Sequence, residues 1–221
     1  MDVKQLIFPG TCFFCLTTTS DAWCSDCERD FILDVARCPV CARHTTNNVL
    51  CGACTKRRPC ITNTEVVFNY QYPANHLIKA FKFNRRPELA QCFAKRLTES
   101  LVNKTTLPEI LLPVPLHKKR QRARGYNQSL ELASHIANNL GLKVNSSLCR
   151  RIKHTDPQST LPIKTRRNNV KGVFRLNGSQ PPEHIAIVDD VITTGSTVNE
   201  IAALLKKAGC RRIEVWAIAR A

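Results

Sequence analysis

The chain of 221 residues has few aromatic side chains, few acidic ones and no long apolar run. Aromatics make up only 6% of it, so base stacking can supply little of any nucleic-acid recognition, and phosphate contact without sequence readout is the expected mode. No stretch of about 18 apolar residues occurs, which argues against a transmembrane helix and membrane insertion. The segment Met1-Asp2-Val3-Lys4-Gln5-Leu6-Ile7-Phe8-Pro9 lacks the apolar region of a signal peptide, so a cytoplasmic location is expected. There is no long low-complexity linker, and no internal repeat beyond the two halves of a cysteine-rich stretch. An apolar share of 43% still suffices for a core, and the length suits one medium domain, or a small module followed by a domain of typical size.

Acidic residues are scarce but not evenly so. Lys and Arg number 33 against 17 Asp and Glu, a formal net charge of +16. Residues 1–60 carry seven basic and six acidic side chains, whereas residues 61–221 carry 26 and 11. The surplus belongs to the second part and implies a polyanionic partner or substrate, of which nucleic acid is the usual one.

Cysteine is abundant, and its spacing argues for metal rather than disulfides. Four Cys-x-x-Cys pairs occupy residues 12–54: Cys12/Cys15, Cys24/Cys27, Cys38/Cys41 and Cys51/Cys54. Each pair can place two thiolates on one Zn2+, and two pairs complete a tetrahedron. Two structural zinc ions are expected. Sequential sites, Cys12/Cys15/Cys24/Cys27 and Cys38/Cys41/Cys51/Cys54, fit the pattern of knuckle, short hairpin, second knuckle. An interleaved cross-brace remains the alternative. Each site with its zinc carries a net −2, so two sites lower the chain's charge to about +12. A segment of this size cannot bury a core without metal.

Beyond residue 60, strands alternate with helices. Residues 65–72 alternate as a strand, and 75–83 and 87–102 read as helices around a basic break, Asn84-Arg85-Arg86. A short buried strand falls at 110–112, a helix at 129–140 capped by Gly141, a strand at 185–188, a helix at 198–207 and a last strand at 213–219. This order favours a parallel α/β sheet flanked by helices, and ligands then bind beyond the carboxyl ends of the strands.

Three segments belong to that place. The strongest runs Ile-Ala-Ile-Val-Asp-Asp-Val-Ile-Thr-Thr-Gly-Ser-Thr from Ile185 to Thr197. Asp189 and Asp190 are expected at the strand's end, exposed, where they suit sugar hydroxyls or a metal ion. Thr193, Thr194, Gly195, Ser196 and Thr197 then form an anion cradle of amides and hydroxyls at a helix N-terminus. Phosphate on one side and diol-binding acids on the other suggest a ribose 5-phosphate. No Gly-Lys-Ser or Gly-Lys-Thr follows the glycine, so this is not a P-loop. The second segment is 113–128, in which Lys118, Lys119, Arg120, Arg122 and Arg124 make a basic loop able to close over pyrophosphate or touch nucleic acid. The third is 154–174, where Gln158, Arg166, Arg167 and Asn169 suit phosphate or a base edge.

The run Val188-Asp189-Asp190-Val191-Ile192-Thr193-Thr194-Gly195-Ser196-Thr197 resembles the fingerprint with which type I phosphoribosyltransferases bind 5-phosphoribosyl-1-pyrophosphate (PRPP). Taken with the four Cys pairs, Lys79-Ala80-Phe81-Lys82-Phe83, Pro113-Val114-Pro115-Leu116, Arg124-Gly125-Tyr126-Asn127-Gln128, and Gln158, Arg166 and Asn169, the chain is similar to the ComF family, particularly its GntX-like members. The resemblance covers nearly the whole chain. It implies a double zinc ribbon at residues 1–60 and a type I phosphoribosyltransferase-like domain at 61–221, with a role in natural transformation or use of external DNA. It further implies that Asp189 and Asp190 hold the ribose hydroxyls, that residues 193–197 hold the 5-phosphate, and that Leu116 and His117 lie in the pyrophosphate loop. Arg124 and Asn127 would belong to a flexible loop, and Mg2+ would accompany PRPP.

Two functions follow as expectations. One is a PRPP-binding accessory of DNA uptake that binds single-stranded DNA through Lys118, Lys119, Arg120 and Arg122, with DNA-uptake proteins as partners. The other is an active phosphoribosyltransferase in which Asp189, Asp190 and Arg124 serve transfer to a nitrogen acceptor. No recognisable hood for a nucleobase is present.

Overall fold

A computed structural model describes residues 10–29, 35–83, 86–153, 171–178 and 180–221. The segment 154–170, with Gln158, Arg166, Arg167 and Asn169, lies outside the described residues, as do Asn84 and Arg85.

The N-terminal part holds two short helices, α1 (Ser25–Arg29) and α2 (Gly52–Lys56). The elements that follow are β1 (Asn63–Asn69), α3 (Ala74–Phe83), α4 (Leu89–Ser100), β2 (Ile110–Pro113), α5 (Lys118–Arg124), α6 (Gln128–Leu140), β3 (Lys143–Val144), β4 (Cys149–Arg151), β5 (Phe174–Leu176), β6 (His184–Ile192), α7 (Ser196–Lys207) and β7 (Arg212–Arg220). Five strands make one parallel sheet in the order β1-β7-β6-β2-β3, while β4 and β5 form a separate antiparallel pair.

The central strands are apolar almost throughout because both of their faces are covered. On β6, Ala186 and Val188 enter a core shared with α3, α4 and α6, and Ile185 and Ile187 enter a core shared with α7. On β7, Trp216 and Ile218 face the first core, and Ile213, Val215 and Ala217 the second. The sheet is thus the middle of three layers, as an α/β fold requires.

Both ends of α6 follow from local chemistry. The Asn127 side chain caps α6 by accepting from the Ser129 amide at 3.1 Å, and Gly141 ends that helix with φ +67°, a left-handed conformation that costs glycine little. Two expectations change. Strand β6 does not stop before the acidic pair but runs on to Ile192, because β7 pairs with it as far as Ile192 opposite Arg220. The basic segment expected as a mobile loop is the helix α5.

The two cysteine halves repeat one backbone design. In the first, the Cys12 amide donates to the Thr17 carbonyl at 2.7 Å and Leu16 has φ +62°; in the second, the Cys38 amide donates to Arg43 at 2.7 Å and Ala42 has φ +55°. Both halves are joined to the sheet domain. Trp23, 2% exposed, packs against Phe68 and Phe93 with ring centroids 6.2 and 5.6 Å away. The Thr64 amide of edge strand β1 donates to the Pro39 carbonyl at 2.8 Å, and its hydroxyl to Val40 at 2.6 Å. A backbone donor on an otherwise open sheet edge is thereby used.

Candidate functional site

Two metal centres come first in the chain. The thiol groups of Cys12, Cys15, Cys24 and Cys27 lie within 4.8 Å of one another, as do those of Cys38, Cys41, Cys51 and Cys54. The grouping is sequential, not interleaved. Cys15 and Cys24 are 3.6 Å apart at sulfur, and Cys41 and Cys51 are 3.5 Å apart, close to the ~3.8 Å edge of a tetrahedron with zinc–sulfur bonds of about 2.3 Å. The Phe14 and Cys24 amides donate to Cys12 Sγ at 3.5 and 3.4 Å, and the Thr17 hydroxyl and amide hold the Cys15 thiol down to about 6. Donors arranged this way favour the thiolates that zinc needs. These are two four-cysteine zinc-binding sites of the closed, structural kind.

The second site is built on β6 and the start of α7. Asp189 Oδ1 accepts from its neighbour's amide, that of Asp190, at 2.9 Å, and from the Ser129 hydroxyl at 3.2 Å. Asp190 Oδ1 lies 2.8 Å from the Lys82 ammonium and accepts from the Val191 amide at 2.6 Å. Neither acid is exposed, contrary to expectation, since the strand continues past them and Lys82 and Ser129 close over them. Burial, then the adjacent Asp190 charge, push the Asp189 carboxyl up to about 7 against the pull of Lys82.

The loop beyond is Thr193, Thr194 and Gly195, and Ser196 and Thr197 open α7. Gly195 caps that helix with φ +78°, and a Cβ there would meet Asn199 Nδ2 at 3.2 Å. The Thr194 and Ser196 hydroxyls are 2.7 Å apart, and the Ser196 amide donates to Thr194 Oγ1 at 3.3 Å. Small residues, hydroxyls and the positive end of a twelve-residue helix converge where an anion would sit.

Strand β2 ends beside β6, with Pro113 opposite Val188, so Leu116, His117 and α5 follow at the same sheet edge as the loop. Leu116 and His117 are half-buried. On α5, Lys118 and Lys119 occupy the first turn, Arg122 is exposed, and Arg120 is half-buried. Arg124 is not part of an open loop: its guanidinium lies 5.0 Å over the Phe83 ring and donates to Gln128 Oε1 at 2.9 Å. Asn127, the other residue assigned to a flexible loop, caps α6 and donates to the Val114 carbonyl at 3.2 Å. Tyr126 donates to the Phe81 carbonyl, and Gln128 to that of Lys82 at 3.5 Å. The segment 124–129 therefore fixes the end of α3, from which Lys82 reaches Asp190, and supplies Ser129 to Asp189.

Three site residues escaped sequence reasoning as such. Lys82 lies within the run Lys79-Ala80-Phe81-Lys82-Phe83, which by itself gives it no role. Ser129 directly follows the run Arg124-Gly125-Tyr126-Asn127-Gln128. Arg151, on β4, carries no motif signal: its guanidinium lies 5.5 Å over the Phe174 ring. Burial, then the charge of Arg120, pull Arg151 down to about 10, against the opposing effect of Asp189. Lys82 of α3 thus pairs with the acids, Arg151 of β4 feels the charge of Asp189, and Arg120 of α5 acts on Arg151.

A parallel sheet with paired acids, a hydroxyl-rich loop opening the next helix and a double zinc ribbon bonded to its edge defines a type I phosphoribosyltransferase-like protein with an N-terminal zinc module. Family models agree: residues 3–55 match the double zinc ribbon domain and 127–221 the phosphoribosyl transferase domain. The chain is 36% identical over 225 residues to the DNA utilization protein YhgH of Escherichia coli O157:H7, covering 98% of this chain and 99% of the relative. It is 35% identical to competence protein F of Haemophilus influenzae, with 97% and 98% covered, and 24% identical to competence protein ComFC of Streptococcus pneumoniae, with 89% and 87% covered. The chain belongs to the ComF family of DNA utilization and competence proteins.

Proposed function

We propose that the protein binds PRPP at the β6–α7 junction and single-stranded DNA along α5, as a cytoplasmic accessory of DNA uptake. The observation that carries the first part is the placement of Asp189 and Asp190 one loop before the Gly195-capped N-terminus of α7. Asp189 and Asp190 orient the ribose hydroxyls. Thr193, Thr194, Gly195, Ser196 and Thr197 hold the 5-phosphate, and that remote binding energy positions C1 of the ribose. Leu116 and His117 border the pyrophosphate, and Arg120 and Arg151 balance its charge. The donor set at the acids is all oxygen, as Mg2+ requires, and Mg2+ bound with PRPP would neutralise leaving-group charge.

The DNA part rests on charge. The formal +16 resides almost entirely beyond residue 60, and four of the basic residues there, Lys118, Lys119, Arg120 and Arg122, fall on one short helix that follows β2 at the sheet edge of the pocket. The competence names of the relatives support this role, and DNA-uptake proteins are the partners it implies.

A second reading, transfer of ribose 5-phosphate to a nitrogen acceptor, is favoured by Phe83. This ring is 64% exposed, stands next to Lys82 and is stacked by Arg124, so a planar acceptor has an aromatic surface beside the acids. Calorimetric titration with PRPP and Mg2+, with single-stranded DNA, and with each after the other tests the proposal. Saturable binding of both is expected. Absence of PRPP binding removes the pocket reading, absence of DNA binding removes the α5 reading, and release of pyrophosphate on adding nucleobases favours transfer.

A further inference from the structure

Arg220 ends β7 with a residue that is 7% exposed, and its guanidinium serves two parts of the molecule. Nε donates to the carbonyl of Cys41 at 3.1 Å. Nη1 donates to the carbonyl of Ile192 at 2.8 Å, and also to the Thr193 and Ala221 carbonyls. Cys41 belongs to the second zinc site, and Ile192 and Thr193 are the residues through which β6 becomes the phosphate loop. A guanidinium is a rigid planar fork, so its nitrogens cannot move independently. Displacing the knuckle therefore displaces the fork that holds the loop.

Burial, then the nearby Arg43 charge, pull Arg220 down from its ordinary value against the favourable effect of Cys41 and Cys51, so the link rests on its hydrogen bonds. The second ribbon is also fastened beside β7, through Thr64 to Pro39 and Val40 and through Arg37 Nη2, which donates to Asn69 Oδ1 at 2.7 Å. The first ribbon attaches elsewhere, to α4, where Lys95 pairs with Asp21 at 2.9 Å and Arg96 pairs with Glu28.

We infer that Arg220 is a positioning residue through which the metal state of the second zinc ribbon sets the conformation of residues 192–197, so that zinc regulates phosphate binding from outside the pocket. The consequence for PRPP rests on the pocket reading above; the coupling to the loop does not.

The test uses the full chain with three changes: Cys51→Ser with Cys54→Ser, which empties the second ribbon; Arg220→Lys, which keeps charge but not the fork; and Lys95→Ala, which cuts a tie of the first ribbon. Zinc content, hydrogen exchange of the loop amides and PRPP binding with Mg2+ are measured on each. Loop exchange faster than wild type by about tenfold, and PRPP affinity lower by about fivefold or more, are expected in the first two variants. Arg220→Lys should retain two zinc ions, and Lys95→Ala should match wild type. If the doubly substituted ribbon does not fold, chelating zinc from wild type and from Arg220→Lys decides: zinc loss should accelerate loop exchange in wild type and change it little in Arg220→Lys, and equal acceleration in both overturns the inference. Wild-type loop exchange in folded Arg220→Lys, or equal acceleration in Lys95→Ala, overturns the inference. A wild type that binds no PRPP, yet shows the expected exchange pattern, removes the pocket reading and leaves the coupling standing.

Discussion

The Lys82 ammonium lies 2.8 Å from Asp190 Oδ1, an ion pair whose side chains are only 16% and 13% exposed. It ties the last turn of α3 to β6 and supplies a cation to two adjacent carboxylates that would otherwise repel. Removing one partner of such a pair leaves the other charge short of compensation. Lys82→Met is expected to destabilise the protein by about 2 kcal/mol, and Asp190→Asn by a similar amount. The double variant should lose less than the sum, with a coupling of about 1–3 kcal/mol measured by urea denaturation. Additive losses would mean that the pair contributes nothing to stability.

The parts of this arrangement legible in the sequence are those set by local chemistry. Apolar runs on both faces marked β6 and β7 as buried strands, Gly141 marked the end of α6, and the pattern of knuckle, short hairpin and second knuckle favoured the sequential zinc groups. What was not legible depends on partners distant in the chain. Asp189 and Asp190 lie within a strand because β7 extends alongside to Arg220. Five basic residues within seven positions after a strand end suggest a mobile loop, yet Lys, Arg, Gln and Ala are good helix formers and α5 is helical. Trp23 belongs to the zinc module by sequence but packs on Phe68 and Phe93 of the sheet domain. Arg151 comes to the acids from a strand with no motif.

Gly195 and Thr194 should respond differently to valine. At Gly195, φ +78° is a conformation that valine avoids, and its Cβ would press on Asn199 at 3.2 Å. Gly195→Val is expected to lose about 1–3 kcal/mol of stability and to abolish detectable PRPP binding. Thr194→Val removes a hydroxyl 2.7 Å from that of Ser196, and should cost about 1–3 kcal/mol of PRPP affinity while stability changes little. Calorimetry and thermal melting on the same samples separate the two effects. An unaltered affinity in Gly195→Val would show that the ligand does not approach this turn.

Binding of single-stranded DNA should weaken steeply with salt. If Lys118, Lys119, Arg120 and Arg122 each meet one phosphate, neutralising all four should flatten the slope of log affinity against log salt by about 3. The loss should be alike for all base sequences, since α5 carries charge and no aromatic ring. Fluorescence anisotropy at several salt concentrations reads both. A slope unchanged by the quadruple substitution would place DNA elsewhere on the basic surface.

Asp189 gives the site a pH dependence whose sign can be worked out. Its folded-state value is raised to about 7, above the ordinary carboxylate range. Between about pH 4 and pH 7 the unfolded chain releases this proton while the folded chain keeps it. The protein accordingly loses stability as pH rises across that window, and the loss is complete above it. Asp189→Asn removes the charge but keeps an oxygen able to accept from the Ser129 hydroxyl and the Asp190 amide. The variant should melt with wild type below pH 4 and be more stable by ~2 kcal/mol at pH 8, a figure discounted for the partial exposure of the residue. PRPP binding runs the other way, because the ribose hydroxyls need the ionised acid: wild-type affinity should climb from pH 6 to pH 8, and the variant should bind weakly at both. Melting and calorimetry across that range check the pair of trends. Equal stability of the two proteins at pH 8, with pH-independent PRPP affinity in the wild type, would mean that Asp189 is ionised throughout and that Lys82 outweighs the burial and the Asp190 charge.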